Sequence, residues 1–279
     1  MIVDAHQHLW RIGRNGHEWP TPDLVAIHRD FDAADLQSVT QAAGVAGTVL
    51  VQSQPNDADT AWMLEVAAET PLIKGVVGWT DLAAPEAPAR IAGLARRPKL
   101  KGLRPMLQVL AEDDWILRDE VRPALAAMCD HGLTFDTLVF PRHLPFIDRL
   151  ARDWPPLAIV VDHGAKPPIA ATNGLNTAWA EAIKRVAQNE NAYSKLSGLL
   201  TEMNDGQPHG DMAPYADHLY TVFGPDRLMW GSDWPVVNLS APYTDWLGWT
   251  TAWLADKPPH ARDAILAGTA TRFYSLDRD

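Results

Sequence analysis

The chain has 279 residues, enough for one large α/β domain or two small ones, with a formal net charge of −11, 22 prolines and a single cysteine. The negative balance argues against a nucleic-acid or anionic-membrane partner, because either would need a basic patch to neutralise phosphates. With Cys129 alone no disulfide can form within the chain, which places it in the cytoplasm, and the apolar run from Ala124 to Cys129 predicts a packed thiol rather than a reactive one.

From the N-terminus the chain enters an apolar strand at once, with no basic and apolar leader. Its longest apolar runs, such as Val45 to Val51, are too short to span a bilayer, so neither secretion nor membrane insertion is expected. The first strand, Ile2 to Ala5, runs into His6-Gln7-His8. Successive strand residues point to opposite faces, so Asp4, His6 and His8 are expected on one side, with both imidazoles delivered to the place where the strand stops. Seven more β-branched or apolar runs follow, at Gly47 to Val51, Gly75 to Trp79, Leu100 to Arg104, Leu133 to Val139, Leu157 to Asp162, Ala192 to Ser197 and Leu228 to Ser232. Helical periodicity fills the gaps at Ala33 to Ala43, Ala58 to Glu69, Glu86 to Arg96, Arg118 to His131, Pro145 to Trp154, Thr177 to Asn189 and Pro214 to Phe223, then at Asp245 to Ala255 and Ala261 to Ala267. Strands such as Ala158 to Val161 are apolar on both faces, as a parallel sheet covered on both sides requires. Eight strand-then-helix units, with no linker, repeat or low-complexity tract between them, predict one domain over residues 1–279. The fold class is α/β, a (β/α)8 TIM barrel, whose usual length is about 250 residues. An open doubly wound sheet is the alternative, but no strand is followed by a Gly-rich phosphate loop to support it.

In such a barrel the residues just past the C-terminal ends of the strands face one mouth. Those positions carry His6 and His8, Gln52 and Gln54, Trp79, Arg104, Asp136, His163, Ser197 and Asp233, while the strand middles are Val, Ile, Leu and Ala. Polar and titratable residues sorted to eight strand ends point to a site for a small molecule rather than to packing. The other histidines, at 17, 28, 131, 143, 209, 218 and 260, fall in loops or helices and carry no assignment.

Six segments run in this order along the chain: Asp-Ala-His-Gln-His-Leu-Trp at 4–10, Val-Val-Gly-Trp at 76–79, Lys-Gly-Leu-Arg-Pro at 101–105, Val-Asp-His-Gly-Ala-Lys-Pro at 161–167, Lys-Leu-Ser-Gly-Leu at 195–199 and Gly-Ser-Asp-Trp-Pro-Val at 231–236. With the closing Gly-Thr-Ala-Thr-Arg-Phe-Tyr at 268–274 they resemble, over essentially the whole chain, the amidohydrolase superfamily. The similarity is greatest to its sugar-lactonase branch, the L-fuconolactonase-like and L-rhamnonolactonase-like proteins. The resemblance implies a (β/α)8 barrel and hydrolysis of an aldonolactone ester, with the strand-8 aspartate as general base and the strand-1 and strand-6 histidines around the substrate carbonyl. In those terms Asp233 takes a proton from the attacking water and passes one to the departing ring oxygen. His163, His6 and His8 orient the carbonyl and stabilise the developing oxyanion. Arg104, with Lys166 as a second candidate, anchors sugar hydroxyls or a carboxylate, for which a planar donor fork is suited. Gln52 and Asp136 are further substrate-binding candidates, and of 12 tryptophans Trp10 and Trp234, close to His8 and Asp233, are the candidates for stacking on a sugar ring. Plainer roles exist for three of these: Asp233 as a helix cap, Arg104 in a structural ion pair and Lys166 as a solvated charge. One departure from the branch pattern is Pro105, where a histidine is expected after the strand-4 arginine; it bears on the identity of the sugar.

Superfamily members hold one or two divalent ions on the strand-1 pair, the strand-8 aspartate, a strand-5 histidine and, in binuclear sites, a strand-4 Lys or Glu. His6, His8 and Asp233 match, but strand 5 ends Phe135-Asp136-Thr137-Leu138 and strand 4 ends in Arg104. Three ligands suffice for an open zinc site. However, a guanidinium about 6 Å away would repel a dication by roughly 5 kcal/mol at an effective dielectric of about 20. The expectation is therefore that no cofactor is required and that a divalent metal such as zinc is taken up only adventitiously, on His6, His8 and Asp233; the resemblance implies the same. The expected partner is a small sugar lactone. Homo-oligomerisation is left open by the sequence. So are metal-dependent decarboxylation or amide hydrolysis, lactone isomerisation and non-catalytic lactone binding on the same barrel.

Overall fold

A computed structural model describes residues 1–277, and in it eight strands form one sheet whose spatial order is their order in the sequence. They are β1 (Ile2–Gln7), β2 (Val45–Val51), β3 (Ile73–Gly78), β4 (Leu100–Leu103), β5 (Thr134–Thr137), β6 (Ile159–Val161), β7 (Ala192–Leu196) and β8 (Leu228–Trp230). Each consecutive pair is parallel. The seam between the last strand and the first is closed by a bridge of Gln7 with Trp234, in which the His8 N–H donates to the Trp234 carbonyl at 2.7 Å and the Asp233 N–H to the His6 carbonyl at 2.8 Å. The residues that close the barrel are thus the neighbours of those expected to do the chemistry. The eight-stranded TIM barrel is the architecture read from the sequence, not the open sheet.

Helices lie between the strands: α1 (Ala33–Ala43), α2 (Asp57–Glu69), α3 (Ala87–Leu94), α4 (Arg122–Asp130), α5 (Leu144–Asp153), α6 (Thr177–Ala187), α7 (Ala213–Phe223) and α8 (Tyr243–Trp253). The first matches its predicted span because both ends are written locally. Asp32 forms a capping box with Asp35, and Gly44 ends the helix at φ 68°. Two predicted helices are broken up. Arg118 to His131 becomes a 3-10 turn (Asp119–Val121) followed by α4, with a proline in the first turn of α4. Ala261 to Ala267 becomes α9 (Pro259–Asp263), a π turn (Ala264–Gly268) and α10 (Thr269–Phe273).

The barrel interior is a valine-rich core of Val3, Ala5, Val49, Val51, Val77, Val160 and Met229, packed with Ala267, Ala270, Phe273 and Tyr274 of the C-terminal segment. A separate and larger apolar layer joins the sheet to the surrounding helices. The strict alternation expected along β1 fails. Val3, Ala5 and then His6 all face the interior, whereas Asp4 turns out to bind Tyr243 of α8, and the pairing of β1 with β2 shifts register between Asp4 and Gln7. A bulge of this kind re-aims the side chains that follow it, here the two histidines. Among the described residues no helix is long and apolar enough to cross a membrane.

Candidate active site

The C-terminal ends of β1, β4, β6 and the loop after β8 bring His6, His8, Arg104, His163 and Asp233 together. Local backbone explains how they fit. After β6 the residues His163, Gly164, Ala165 and Lys166 all have positive φ, between 51° and 62°, and Asp233 has φ 58°. For residues with a Cβ this conformation costs roughly 1–2 kcal/mol each, and such strain is characteristically held at functional sites. Two glycines make room. A Cβ on Gly231 would lie 2.7 Å from the His6 Cβ, and one on Gly198, itself at φ 63°, would lie 2.6 Å from His163 Nδ1.

Asp233 Oδ1 sits 3.3 Å from His8 Nε2, 3.6 Å from His6 Nε2 and 3.9 Å from His163 Nε2. The two strand-1 rings meet at 3.1 Å between their Nε2 atoms. His8 donates its Nδ1 proton to the Val51 carbonyl at 2.8 Å, which turns its Nε2 toward the cluster. His163 Nδ1 is held by Ser197 Oγ at 2.8 Å. Burial pushes the His163 imidazole down to about 4, against the attraction of Asp233 and Asp162, and it drives His6 well below its usual range with the Lys195 charge adding to the effect. Both rings are therefore neutral at pH 7. Burial works to raise Asp233, but the imidazoles of His163, His8 and His6 together outweigh it and hold the carboxyl well below the usual range. Asp233 is accordingly ionised throughout the neutral range.

Below this cluster lies a charged layer. Arg104 Nη1 donates to Asp162 Oδ2 at 3.0 Å, its Nη2 to the Gln52 carbonyl at 2.5 Å, and Gln52 Nε2 returns a bond to the Arg104 carbonyl at 2.9 Å. Lys195 Nζ contacts Asp136 at 2.6 Å, Asp162 at 3.0 Å and His6 Nδ1 at 3.0 Å, and the Tyr274 hydroxyl donates to Asp136 at 2.6 Å. Burial acts to raise Asp162, but Lys195, His6 and Arg104 overcome it and leave this carboxyl well below its usual value. The repulsion of a dication estimated from the Arg104 charge alone is therefore too large, because Asp162 neutralises that guanidinium at contact distance.

A cavity of about 240 Å³ opens over the cluster. Its polar wall is His8, Arg104, His163, Lys166 and Asp233 with Ser53 and Gln108; its apolar wall is Trp19, Met106, Val109, Leu138 and Val236. A cavity of about 350 Å³ at the other end of the barrel, beside Lys74 and Leu276, contains none of the histidines and is not the site.

Four residues expected to touch substrate are placed away from the cavity wall. Asp136 is fully buried beneath His6, consumed by Lys195 and Tyr274. Gln52 is fully buried and locks Arg104 instead of facing the pocket. Trp10 gives its indole N–H to the Arg29 carbonyl and packs on Phe31, so it is core; the tryptophan at the pocket is Trp19, which stands edge-on to Trp10. Trp234 is buried against Phe31 and works through its backbone at the seam. Arg104 does line the cavity, but its donor fork is spent on Asp162 and the Gln52 carbonyl, which leaves the side chain of Lys166 as the cation at the rim. The residues missed from the sequence are Asp162 and Lys195. Both lie in recognised segments, and Lys195 shares the inward parity of Ser197 on its strand, which was the available signal.

The donor atoms of His6, His8 and Asp233 lie within 4.8 Å of one another, as do those of His6, Asp162 and His163. A tetrahedral zinc with bonds of about 2.0–2.1 Å sets its ligand atoms about 3.3–3.4 Å apart, and the spacings of the first trio bracket that value. The first trio thus fits a metal in spacing, and the His8 bond to Val51 orients that ring as a ligand requires.

The amidohydrolase model Amidohydro_2 matches residues 3–276. An L-fucono-1,5-lactonase of Burkholderia ambifaria is 46% identical over 284 residues, covering 99% of this chain and 96% of the relative. An L-fucono-1,5-lactonase of Burkholderia multivorans is 32% identical, covering 98% and 96%. The solved structure of a B. multivorans amidohydrolase with bound zinc superposes with a TM-score of 0.94 at 31% identity, covering 99% of each chain.

Proposed function

The chain belongs to the amidohydrolase family of the Amidohydro_2 type, and from that premise we propose that it is a sugar lactonase, a carboxylic ester hydrolase that opens an aldonolactone to the free sugar acid. The observation that carries this reading is the Asp233 carboxylate, ionised at the cavity wall among three imidazoles. A lactone is an activated ester, so a positioned base and a charge-stabilising wall are enough to open it. Water adds to the ring carbonyl carbon and gives a proton to Asp233. This carboxylate is a weak base, so the transfer occurs as the new C–O bond forms, when the water oxygen has become acidic. The tetrahedral adduct then expels the ring oxygen, which takes the proton back from Asp233 and becomes a hydroxyl. His163 and His8 face the carbonyl and the developing oxyanion, His6 supports them from below, and Lys166 at the rim binds hydroxyls. Arg104 contributes positive potential from a fixed position rather than a free fork. The wall of Met106, Leu138 and Val236 suits an apolar face of the sugar, including a deoxy-sugar methyl.

In our reading the reaction needs no metal. When a divalent ion is bound, His6, His8 and Asp233 would hold it, and it would supply Lewis-acid polarisation of the carbonyl. The relatives named L-fucono-1,5-lactonase make that lactone the first compound to test. The test is acid release from a panel of fucono, rhamnono, galactono, arabino and aldaro lactones before and after prolonged chelation. Fast opening of one or more 1,5-lactones, with most activity surviving chelation, is expected. Failure on the whole panel overturns the lactonase reading, and loss on chelation restored by zinc overturns its metal-free form.

A further inference from the structure

Lys195 is fully buried beneath the site, and its ammonium meets Asp136 Oδ2 at 2.6 Å, His6 Nδ1 at 3.0 Å and Asp162 Oδ1 at 3.0 Å. The first two contacts have hydrogen-bond geometry; Asp162 Oδ1 has none to any group and is a charge contact only. An ammonium donates and never accepts, so the contact with His6 requires a lone pair on Nδ1. A neutral imidazole carries its single proton on one nitrogen, so the proton of His6 belongs on Nε2. The opposite assignment would set an Nδ1 proton against the Lys195 ammonium at 3.0 Å. It would rest on Asp162 Oδ1 at 3.4 Å and on Arg104 Nη1 donating to Nε2 at 3.4 Å, both longer contacts, and Arg104 Nη1 is already engaged by Asp162 Oδ2 at 3.0 Å. With Lys195 donating to His6 Nδ1, the His6 Nε2–H faces His8 Nε2 at 3.1 Å and Asp233 Oδ1 at 3.6 Å, and the His8 ring is fixed from behind by its Nδ1–H donating to the Val51 carbonyl at 2.8 Å.

We propose that Lys195 is a positioning residue that holds His6 as its Nε2–H tautomer, so that a proton occupies the place where His6 would otherwise ligate a metal ion. The three donors have the spacing of a zinc site and yet are kept in a state that resists zinc. To take the ion His6 must give up the Nε2 proton and lose or reverse its contact with Lys195. The residues that set this tautomer lie one layer below the ligands, where outer partners commonly change metal affinity by about 10–100-fold. The inference goes beyond the lactonase reading, and neither readout below uses a lactone, so the two stand or fall separately.

The first measurement is the long-range proton–nitrogen correlation spectrum of ¹⁵N-labelled wild-type protein freed of metal, with the His6 ring assigned by its disappearance in His6→Gln. An Nε2-protonated His6 is expected, and an Nδ1-protonated ring overturns the proposal. The second is zinc affinity by competition with a chromophoric chelator, comparing wild type with Lys195→Met. The variant is expected to bind zinc about 10–100-fold more tightly and to show His6 shifted toward the Nδ1–H form. A folded variant, verified by near-ultraviolet circular dichroism, with unchanged or weaker zinc binding overturns it. If Lys195→Met leaves the two carboxylates unpaired and does not fold, the wild-type spectrum decides alone.

Discussion

The chemistry concentrates on one carboxylate and the rings around it. Asp233→Asn keeps size and hydrogen bonding but cannot accept the proton of the attacking water, so kcat on the best lactone should fall by about 10²–10⁴ with KM little changed. A folded Asn variant that keeps more than about a tenth of wild-type kcat, short of the loss expected for such a base, would remove Asp233 from that role. The pH dependence follows from the same cluster. His163 is neutral until about pH 4 and Asp233 stays ionised below that, so protonation of either destroys the working state only in acid. Protonation of His163 should appear in the profile of kcat/KM as an acid limb near pH 4 that is absent from His163→Gln. A limb near 6.5, the value of an unperturbed histidine, that disappears in His163→Gln would contradict the burial assigned to His163. The order of the residues in space also explains why Arg104 and Gln52 act as a pair: each is bonded through the backbone carbonyl of the other, across the ends of β4 and β2.

Among the elements, the segments after the strands, not the strands themselves, supply the cavity wall. The left-handed turn from His163 to Lys166 sets one ring and one ammonium into the cavity from positions three residues apart, and Gly198 after β7 leaves space for that ring. Gly198→Ala combines positive φ with a Cβ only 2.6 Å from His163 Nδ1. The expected result is a displaced His163 and a kcat lower by about 10–100-fold, since small misplacements at a reacting centre are that costly. Gly174→Ala is the control, because Gly174 also has positive φ, at 83°, with nothing within 4 Å of the added Cβ. Equal kcat losses in both variants would assign the effect to backbone strain and not to the ring.

In the molecule as a whole the decisive feature is the closure of β8 on β1. Asp4, fully buried on the outer side of β1, accepts from Ser232 N–H at 2.8 Å, Ser232 Oγ at 2.6 Å and the Tyr243 hydroxyl at 3.0 Å, and so ties β1, the strand-8 loop and α8 into one seam. Burial raises its carboxyl to about 6, even though the Ser232, His6 and Tyr243 bonds pull the other way. A carboxyl raised on folding favours the folded state fully below its unfolded value near 3.8, and that contribution disappears as pH rises through about 6. Asp4→Asn removes the titration. Whatever its constant offset, the stability of the variant relative to wild type should improve by about 2 kcal/mol between pH 4 and pH 7, read from urea midpoints at each pH. Parallel stability curves for the two proteins would show that Asp4 titrates normally at the seam.

Strand and helix periodicity, the count of eight strand-then-helix units and the polar residues at strand ends are local properties, and from them the barrel, its mouth and the cluster of His6, His8, Arg104, His163 and Asp233 are legible in the sequence alone. Their partners are not. Period-two alternation cannot show a bulge, so the outward turn of Asp4 and the inward shift of His6 were hidden. Charge pairing joins residues far apart in sequence: Asp162 neutralises Arg104 across 58 positions, and Lys195 reaches His6 across 189. Trp10 and Trp234 are close along the chain to His8 and Asp233, but Trp234 directly follows Asp233 and successive extended residues point to opposite faces, while Trp10 lies beyond the end of β1, where strand parity no longer holds; both indoles are used in packing. Residue type and spacing along the chain determined which groups arrive at the mouth. Only the closing of the sheet decided which of them face the cavity, which are neutralised beneath it and which nitrogen of His6 carries the proton, because contacts of that kind exist only once β7 and β8 stand beside β1.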